Sequence, residues 1–326
     1  MKFKTKILVF SIFIIVLLGA GISLTACRKN SNSIQPSAAK KEDKLILGFS
    51  QIGSESAWRG RNTESIFEAA AENNIQILFD DAQQKQSNQL KAIRSFIVYQ
   101  VDVIAFVPIV EDGWDNVLQE AKEANIPVII VDRQINADPS LYAGFLGENG
   151  FEEGRSAGTF LQKKCKDITS QINILELSGT ANSSVVINRA KGFRNVIQNE
   201  SKFNIIHSED GDFLRSRGKE IMTRIISENK GLYINSQKID VIYSHNDSMT
   251  LGLLEVMDTY KIPYNDVIII SIDAEQKSID ALTQGKLNCV VECNPNLGPT
   301  LMSLVQNIAS GKTIPRITYM KETVFT

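Results

Sequence analysis

The side chains best suited to chemistry in this sequence stand directly after short apolar runs. They are four acids, three arginines, one amide and two aromatic rings, namely Glu55, Trp58, Arg59, Asp132, Arg133, Arg189, Phe213, Asn246, Asp273 and Glu292. In open α/β sheets, ligands bind beyond the carboxyl ends of the strands. If the apolar runs are strands of such sheets, these side chains meet at one edge and could surround one ligand.

The charges in this set are balanced, which indicates a neutral ligand. Guanidinium groups only donate hydrogen bonds and carboxylates only accept them, whereas sugar hydroxyls do both and satisfy either kind of group. Trp58 and Phe213 can cover the C–H face of a sugar ring. Taken singly, each residue is more typical of core packing or of a surface ion pair that contributes little stability. Their common place after strands favours a carbohydrate site.

The elements that position these side chains alternate from Lys44 onward. Short runs rich in Ile and Val, such as 101–107, 127–132 and 267–272, lack polar alternation, which is typical of strands buried on both faces of a parallel sheet. Apolar residues recur at helical spacing between them, for example in 87–99. This alternation predicts βαβ units and a doubly wound α/β fold. The strands are too many for one sheet of common size, so two similar lobes are expected, with a first break near 142–149.

Composition excludes several function classes. The 326 residues carry a net charge of -2, with 43% hydrophobic and 22% charged residues, which is ordinary for a globular protein. Interleaved charges of both signs offer no basic face for nucleic acid. With two histidines in the sequence, a His/Cys metal cluster is not expected. No nucleotide-binding or nucleophile motif follows a strand, so neither a cofactor nor an enzyme is predicted.

The first 27 residues have the pattern of an export signal. Lys2, Lys4 and Lys6 precede an apolar run over 7–24, and the run closes in Leu-Thr-Ala-Cys27. This ending resembles the bacterial lipoprotein signal, which implies that Cys27 is lipidated and becomes the N-terminus. The alternative is an uncleaved anchor, because about 18–20 apolar residues can span a bilayer. Either reading places the downstream chain outside the cytoplasm.

The residues that follow predict a tether and unpaired thiols. Residues 28–43 are polar and short of large apolar side chains, which is typical of a solvated linker. Cys165, Cys289 and Cys293 are an odd number of further cysteines. Cys289 and Cys293 stand in one predicted strand, about 13 Å apart, which is too far for a disulfide. All three are expected to be packed or free thiols, and no chemistry is assigned to them.

Long stretches of the chain resemble the type I periplasmic sugar-binding proteins. The segments that carry the resemblance are GFSQIGSESAWRG, DAQQKQSNQLKAIRSFI, VDVIAFVPIVEDGW, EAKEANIPVIIVDR, GDFLRSRGKE, YSHNDSMTLG and VECNPNLGP. They extend over 44–326, and within the family the resemblance is closest to the galactofuranose-binding receptors of ABC importers. It implies two Rossmann-like lobes with parallel sheets, joined by three crossover segments, with a sugar in the cleft.

The resemblance also implies roles for the residues named above. Glu55, Trp58 and Arg59 match first-loop contacts, Asp132-Arg133 matches the pair that grips ring hydroxyls, and Arg189 matches the arginine opposite them. Phe213 matches an aromatic ring of ribose-type relatives. Asn246, Asp273 and Glu292 match polar contacts of the second lobe and the hinge. The first lobe is expected to comprise 44–146 and about 276–293, and the second 147–275 and about 294–326.

The function implied is that of a monomeric, lipid-anchored receptor on the outer face of the cytoplasmic membrane. It would deliver a neutral monosaccharide, galactofuranose or a similar aldose, to the permease of an ABC importer. A sensor that presents the sugar to a membrane histidine kinase or chemoreceptor needs the same closed lobes and stays open as an alternative. A regulator of the lac-repressor type would need an N-terminal helix-turn-helix where this chain has an export signal.

An enzyme is the remaining alternative, because two carboxylates such as Asp132 and Asp273 could in principle cleave a glycoside. In the predicted site each carboxylate has an arginine nearby, which lowers the pKa of an acid and suits it to accept hydroxyls. Incubation with aryl glycosides distinguishes the two.

The lipoprotein pattern generates the first prediction. Cys27→Ser removes the thiol that would carry the lipid, so the variant should be released to the medium or remain uncleaved. Metabolic labelling with a radioactive fatty acid measures whether the wild type carries a lipid that the Cys27→Ser variant lacks. A wild-type protein that takes up no label would contradict the assignment of Cys27.

Overall fold

The computed structural model describes residues 44–326, so Cys27, the predicted signal 1–27 and the predicted tether 28–43 lie outside the described residues. Its first elements are β1 Ile46–Gln51, α1 Ala57–Glu72, β2 Gln76–Asp81, α2 Gln86–Val98, β3 Val103–Phe106, α3 Asp115–Glu123, β4 Val128–Val131 and β5 Gly144–Gly147. The next are α4 Gly150–Lys164, β6 Ile172–Ser178, α5 Ser184–Ile197, β7 Phe203–Asp210, α6 Arg215–Asn229, β8 Tyr233–Ile234 and β9 Gln237–Lys238. The last are β10 Val241–Ser244, α7 Asp247–Tyr260, β11 Ile268–Asp273, α8 Gln276–Thr283, β12 Cys289–Glu292, α9 Gly298–Ala309, β13 Ile317–Tyr319 and β14 Val324–Phe325.

Two six-stranded sheets organise these elements. The first has the order β13-β5-β4-β3-β1-β2, and every pair in it is parallel. The second has the order β14-β12-β11-β10-β6-β7, parallel except for the edge pair β12 and β14. A small hairpin of β8 and β9 accompanies it. The predicted α/β fold with two mainly parallel sheets is confirmed.

The Ile- and Val-rich runs form the sheet interiors because they are buried on both faces. Every residue of β3, β4 and β10 is buried. Large aromatic rings complete the packing: Phe106 and Trp114 lie 4.8 Å apart against the first sheet, and Phe193 stacks on Tyr243 at 4.0 Å against the second. Full burial of a side chain of this size contributes about 1.5–3 kcal/mol or more. Among the helices of residues 44–326, none combines the length and apolar character of a membrane span.

The chain crosses between the sheets three times, and the C-terminal crossings differ from those expected. β12 extends the second sheet, pairing in parallel with β11, so 276–293 does not join the first lobe. β13 pairs in parallel with β5 of the first sheet, and the start of α9 packs on α1, where the Gly298 amide donates to Ser65 Oγ at 3.1 Å. Helix α8 is the crossover of a βαβ unit, which returns the chain alongside the strand it has just left. The crossings are therefore 148–149, 293–297 and 320–323.

Helices α4 and α5 touch through glycines. A Cβ atom on Gly192 would lie 2.0 Å from the carbonyl oxygen of Phe151, and one on Gly154 would lie 2.0 Å from that of Arg189. Only glycine permits this approach without moving a helix. The close contact fixes the position of α5 against α4, and therefore the position of Arg189 beside the second sheet.

This contact predicts that Gly192→Ala destabilises the fold. The added methyl group overlaps backbone that cannot rotate away, so the free energy of unfolding should fall by about 1–3 kcal/mol. Urea unfolding measures it. Gly60→Ala is the control, because a Cβ there meets no atom within 4 Å. Since alanine is favoured in a helix by about 0.5–1 kcal/mol, this control should be neutral or stabilising. Equal stability of the two variants would contradict the close packing.

Candidate functional site

A cavity with about 300 Å³ of empty space, part of it open to solvent, lies where the carboxyl ends of the two sheets' strands face each other. It is lined by Glu55, Ser56, Trp58, Arg59, Asp132, Arg133, Val185, Arg189, Phe213, Asn246, Asp273 and Cys293. These residues come from the end of β11, from the segments after β1, β4, β7, β10 and β12, and from the first two turns of α1 and α5. All of the predicted site residues except Glu292 therefore surround one space.

Glu292 was predicted as a site residue, and the structure does not bring it to the cavity. It is the last residue of β12, and side chains along a strand point alternately to opposite faces. The next residue, Cys293, lines the cavity instead. Ser56 and Val185 were not predicted either. Ser is a preferred N-cap residue, so the sequence could have marked Ser56 as the start of a helix. In the structure its side chain accepts a hydrogen bond from the Arg59 amide.

Four charged side chains form the wall on the side of the first sheet. Arg59 donates from Nε to Glu55 Oε1 at 3.0 Å and from Nη2 to Asp132 Oδ2 at 2.6 Å. Arg133 donates from Nη2 to Glu55 Oε1 at 3.4 Å. Burial alone would raise the pKa of Glu55, but Arg59 and Arg133 outweigh it and hold the pKa below its ordinary value. The Glu55 carboxylate therefore accepts hydrogen bonds at neutral pH.

Two donors in this wall have no partner among the described residues. Arg59 Nη1 and Arg133 Nε are both buried and donate no hydrogen bond to any residue in this part of the chain. Burial lowers the pKa of Arg133 to about 10, against the opposing effect of Glu55, so the guanidinium stays charged at neutral pH. A buried donor without an acceptor costs about 1–3 kcal/mol. Two such donors beside a cavity are suited to oxygen atoms of a ligand.

The opposite wall is built around Arg189. Its Nε donates to Glu153 Oε2 at 2.6 Å and its Nη2 to Glu153 Oε1 at 3.2 Å, while Nη1 donates to the carbonyl of His245. Asp273 Oδ1 lies 3.8 Å from Nη2. Burial opposes the charge of Arg189, but Glu153 outweighs it and raises the pKa of the guanidinium. Burial raises the pKa of Asp273 well above its ordinary value despite the nearby arginine.

The aromatic residues are held by polar contacts at their edges. Trp58 Nε1 donates to the carbonyl of Cys293 at 2.5 Å, which ties α1 to the crossing that follows β12. Asn246 Nδ2 donates to the carbonyl of Phe213 at 3.2 Å, and Asn246 Oδ1 accepts from the Met249 amide at 3.0 Å. Asn246 therefore positions Phe213 and begins α7. The Arg133 guanidinium carbon lies 5.4 Å from the Phe213 ring centre, a cation–π contact across the cavity.

Three cavity residues have left-handed backbones that non-glycine residues rarely adopt. The φ angles are 62° at Asp132, 60° at Phe213 and 132° at Asp273. Such conformations cost about 1–3 kcal/mol each and persist where surrounding contacts enforce them, often at ligand sites. Here they turn the chain sharply at the ends of strands, so that each side chain faces the cavity.

A further carboxylate supports the Arg189 wall from behind. Glu176 accepts hydrogen bonds from Arg194 Nη1 at 2.8 Å and Ser208 Oγ at 2.8 Å, and its Oε1 lies 3.2 Å from His245 Nε2. Burial would raise the pKa of Glu176, but hydrogen bonds with His245 and Arg194 hold it far below its ordinary value. Burial lowers the pKa of His245, so the imidazole is neutral at pH 7. Glu176 thus fixes the residue whose carbonyl binds Arg189.

Two sheets with a charged cavity at their carboxyl ends define a bilobal binding protein, and comparison with known families agrees. The chain belongs to the periplasmic binding protein domain family, whose model matches residues 47–313. The predicted family membership is therefore confirmed. Members related to this chain are binding proteins, and this chain is a binding protein and not an enzyme.

Individual relatives cover most of the chain. The galactofuranose-binding protein YtfQ of Escherichia coli K12 is 39% identical over 285 residues, 86% of this chain and 87% of its own length. A Mycobacterium smegmatis protein solved with β-D-fucofuranose is 41% identical, with a TM-score of 0.81 over 86% of this chain and 91% of that one. The periplasmic binding component of the arabinose ABC transporter of Shewanella sp. ANA-3, bound to α- and β-L-arabinofuranose, is 38% identical, with a TM-score of 0.80 over 86% and 91%.

The support behind Arg189 predicts a pH-dependent stability. Because the folded pKa of Glu176 lies below its unfolded value of about 4.3, its stabilisation is present above that pH and is lost as pH falls through the folded pKa. Glu176→Gln should lower the free energy of unfolding by about 1–3 kcal/mol at pH 7, and by less as the pH falls below about 4. Urea unfolding across pH measures this.

The control for this experiment is Glu255→Gln, which removes an exposed carboxylate paired with Arg215. Exposed pairs contribute about 1 kcal/mol or less, so this variant should resemble the wild type. If Glu176→Gln were as stable as Glu255→Gln at pH 7, the support assigned to Glu176 would be wrong.

Proposed function

We propose that the protein is an extracytoplasmic receptor that binds a neutral monosaccharide, galactofuranose or a similar aldose in its furanose form, for an ABC importer. The observation that carries the proposal is the pair of unpartnered donors, Arg59 Nη1 and Arg133 Nε, in the wall that also holds the Glu55 carboxylate as an acceptor. Sugar hydroxyls can accept hydrogen bonds from the arginine donors and donate them to the carboxylate. The furanose form is supported by the sugars named with the relatives: galactofuranose, fucofuranose and arabinofuranose.

In this proposal the cavity residues divide the work of binding. Asp132 accepts a hydrogen bond from one ring hydroxyl, and Arg59 and Arg133 donate to ring oxygens. On the opposite wall Asp273 accepts and Arg189 donates in the same way. Trp58 and Phe213 cover apolar C–H faces. The walls carry both charge signs close together, which disfavours a charged ligand and suits a neutral one. Ser56, Val185 and Cys293 complete the enclosure.

The proposed receptor also closes around its sugar and is attached to the membrane. The two proposed lobes, each built on one sheet, would close over the sugar by bending at the three crossings, a hinge motion that sequesters the ligand. Binding then stabilises the folded state, by about 2.7 kcal/mol at a hundredfold excess over Kd. The lipoprotein pattern at Cys27 would hold the receptor beside the permease on the outer face of the cytoplasmic membrane.

A sensor is the second candidate. The fructose-binding periplasmic domain of the hybrid two-component system BT1754 shares the fold, with a TM-score of 0.75 at 24% identity. That likeness concerns the fold alone. Uptake of radiolabelled sugar by cells lacking this receptor separates the two roles: lost uptake supports the importer, and intact uptake with lost sugar-induced transcription supports the sensor.

The proposed contacts predict which side chains carry affinity. Asp132→Ala leaves Arg59 without one of its buried acceptors, so binding of D-galactose or L-arabinose, which equilibrate with their furanose forms, should weaken by about 2–4 kcal/mol, roughly 30- to 1000-fold. Trp58→Ala removes mainly apolar area and should cost less, about 1–3 kcal/mol. Calorimetric titration measures both.

Asp132→Asn and Asp167→Ala are the controls. The first keeps the shape of the side chain without its charge, and the second removes an exposed carboxylate far from the cavity lining. Circular dichroism verifies that each variant is folded. A folded Asp132→Ala that binds as tightly as Asp167→Ala would place the ligand elsewhere and remove the basis of the proposal.

A further inference from the structure

A carboxyl group or a thiol stands on each of the three crossings between the sheets. Glu148 follows β5, Cys293 follows β12, and Glu322 lies between β13 and β14. They converge beside Glu153 in the first turn of α4. The carboxylate oxygens of Glu153 and Glu322 and the sulfur of Cys293 all lie within 4.8 Å of one another. We call Glu148, Glu153, Cys293 and Glu322 the hinge cluster.

Two carboxyl groups of the hinge cluster have buried oxygens without partners. Glu148 is 7% exposed, and neither of its carboxylate oxygens has a hydrogen-bond partner among the described residues. Glu322 Oε1 is likewise buried and unpartnered in this part of the chain. An ionised carboxylate away from water is strongly unfavourable unless a cation or donors compensate it. These groups therefore need a neutralising positive charge.

The groups that face the cluster do not provide that charge. Glu148 faces Asp132, Glu153 and Arg189, and Glu322 faces Glu153, Glu148 and Arg189. Cys293 faces the same two acids, Arg189 and Asp273. Arg189 is the one cation among these neighbours, and both oxygens of Glu153 already accept from it.

The remaining source of positive charge is the proton. Two carboxyl groups in contact cannot both ionise, so one holds a proton that the other accepts. Burial, followed by the charge of Glu153 and a hydrogen bond with it, raises the pKa of Glu322 to about 10. Burial, followed by Asp132 and Glu153, raises the pKa of Glu148 well above its ordinary value.

The conformation in which this burial occurs has the two cavity walls in contact. The Gln134 amide, after β4, donates to Ser184 Oγ at the start of α5 at 2.7 Å. Arg133 lies against Phe213 across the same space. Bending at the crossings changes the backbone at 148–149, 293–297 and 320–323 and would admit water to groups on these segments.

We propose that the hinge cluster takes up protons when the lobes close, so that sugar binding is coupled to proton uptake. This inference rests on the proposed function. Closure buries carboxyl groups that open crossings leave hydrated, with ordinary pKa values of about 4.3. Protons are therefore bound on closure at any pH between that value and the raised one, and the sugar affinity falls as pH rises through this range.

Calorimetric titration with D-galactose or L-arabinose at pH 7, in buffers of different ionisation enthalpy, measures the protons exchanged. The wild type should take up about one proton per sugar, with Kd rising up to about tenfold per pH unit. Glu322→Gln keeps the shape of the neutral acid, so its proton uptake and pH dependence should be reduced while sugar still binds. Glu152→Gln, an exposed acid on the same helix turn, should behave as the wild type. Sugar binding with an apparent enthalpy independent of the buffer would overturn the inference and leave the proposed function intact.

A second measurement follows urea unfolding in saturating D-galactose or L-arabinose, which holds the lobes closed. A folded pKa above the unfolded one makes stability fall as pH rises from about 4 toward the folded value. Glu322→Gln should therefore match the wild type near pH 4 and be the more stable protein at pH 8, with Glu152→Gln unchanged. A stability difference that is the same at both pH values would contradict proton binding. One equivalent of metal in the purified wild type, absent from Glu322→Gln by elemental analysis, would also overturn it, because Glu153, Cys293 and Glu322 would then hold a metal ion.

Discussion

The buried ion pair between Arg59 and Asp132 joins two loops that are 73 residues apart in the chain. Both side chains are about 95% removed from solvent. Burying two charges is unfavourable unless each is closely paired, so the pair persists only while the strands hold their ends in register. β1 and β4 do so from either side of β3, within one parallel sheet. The rest of the binding wall depends on this arrangement, because Glu55 and Arg133 take their positions from it.

The same sheet that forces the charges together leaves them incompletely satisfied. Arg59 has five donor hydrogens and Arg133 another five, and the acids of the wall accept only part of them. A core built for stability alone would fill the space with apolar side chains, which are often as stable as buried ion pairs. A charged wall with spare donors is therefore better explained by recognition than by stability. The left-handed backbone conformations at Asp132 and Asp273 also cost stability, and both residues line the same cavity.

Much of the site follows from the sequence because strand ends can be recognised without knowing the fold. A run such as 127–132 ends where polar residues begin, and parallel topology brings all such ends together. The prediction of Glu292 was wrong because a place at a strand end does not tell which face of the strand a side chain occupies. The hydrophobic pattern also could not predict the places of the C-terminal strands in the sheets, because β12 and β13 are both short apolar segments. Which sheet each joins depends on helix packing, such as Gly298 on Ser65.

The crossings between the sheets and the binding wall share residues, so a change in one must affect the other. The carbonyl of Cys293 accepts from the Trp58 indole, while its thiol belongs to the hinge cluster. Glu153 pairs with Arg189 on the cavity side and meets Glu322 on the other. A movement at the crossings must therefore disturb Trp58 and Arg189, and a ligand that fixes those two side chains must resist bending. No sequence pattern indicates this, because the roles of Glu148 and Glu322 arise only from the burial that three separate crossings create together.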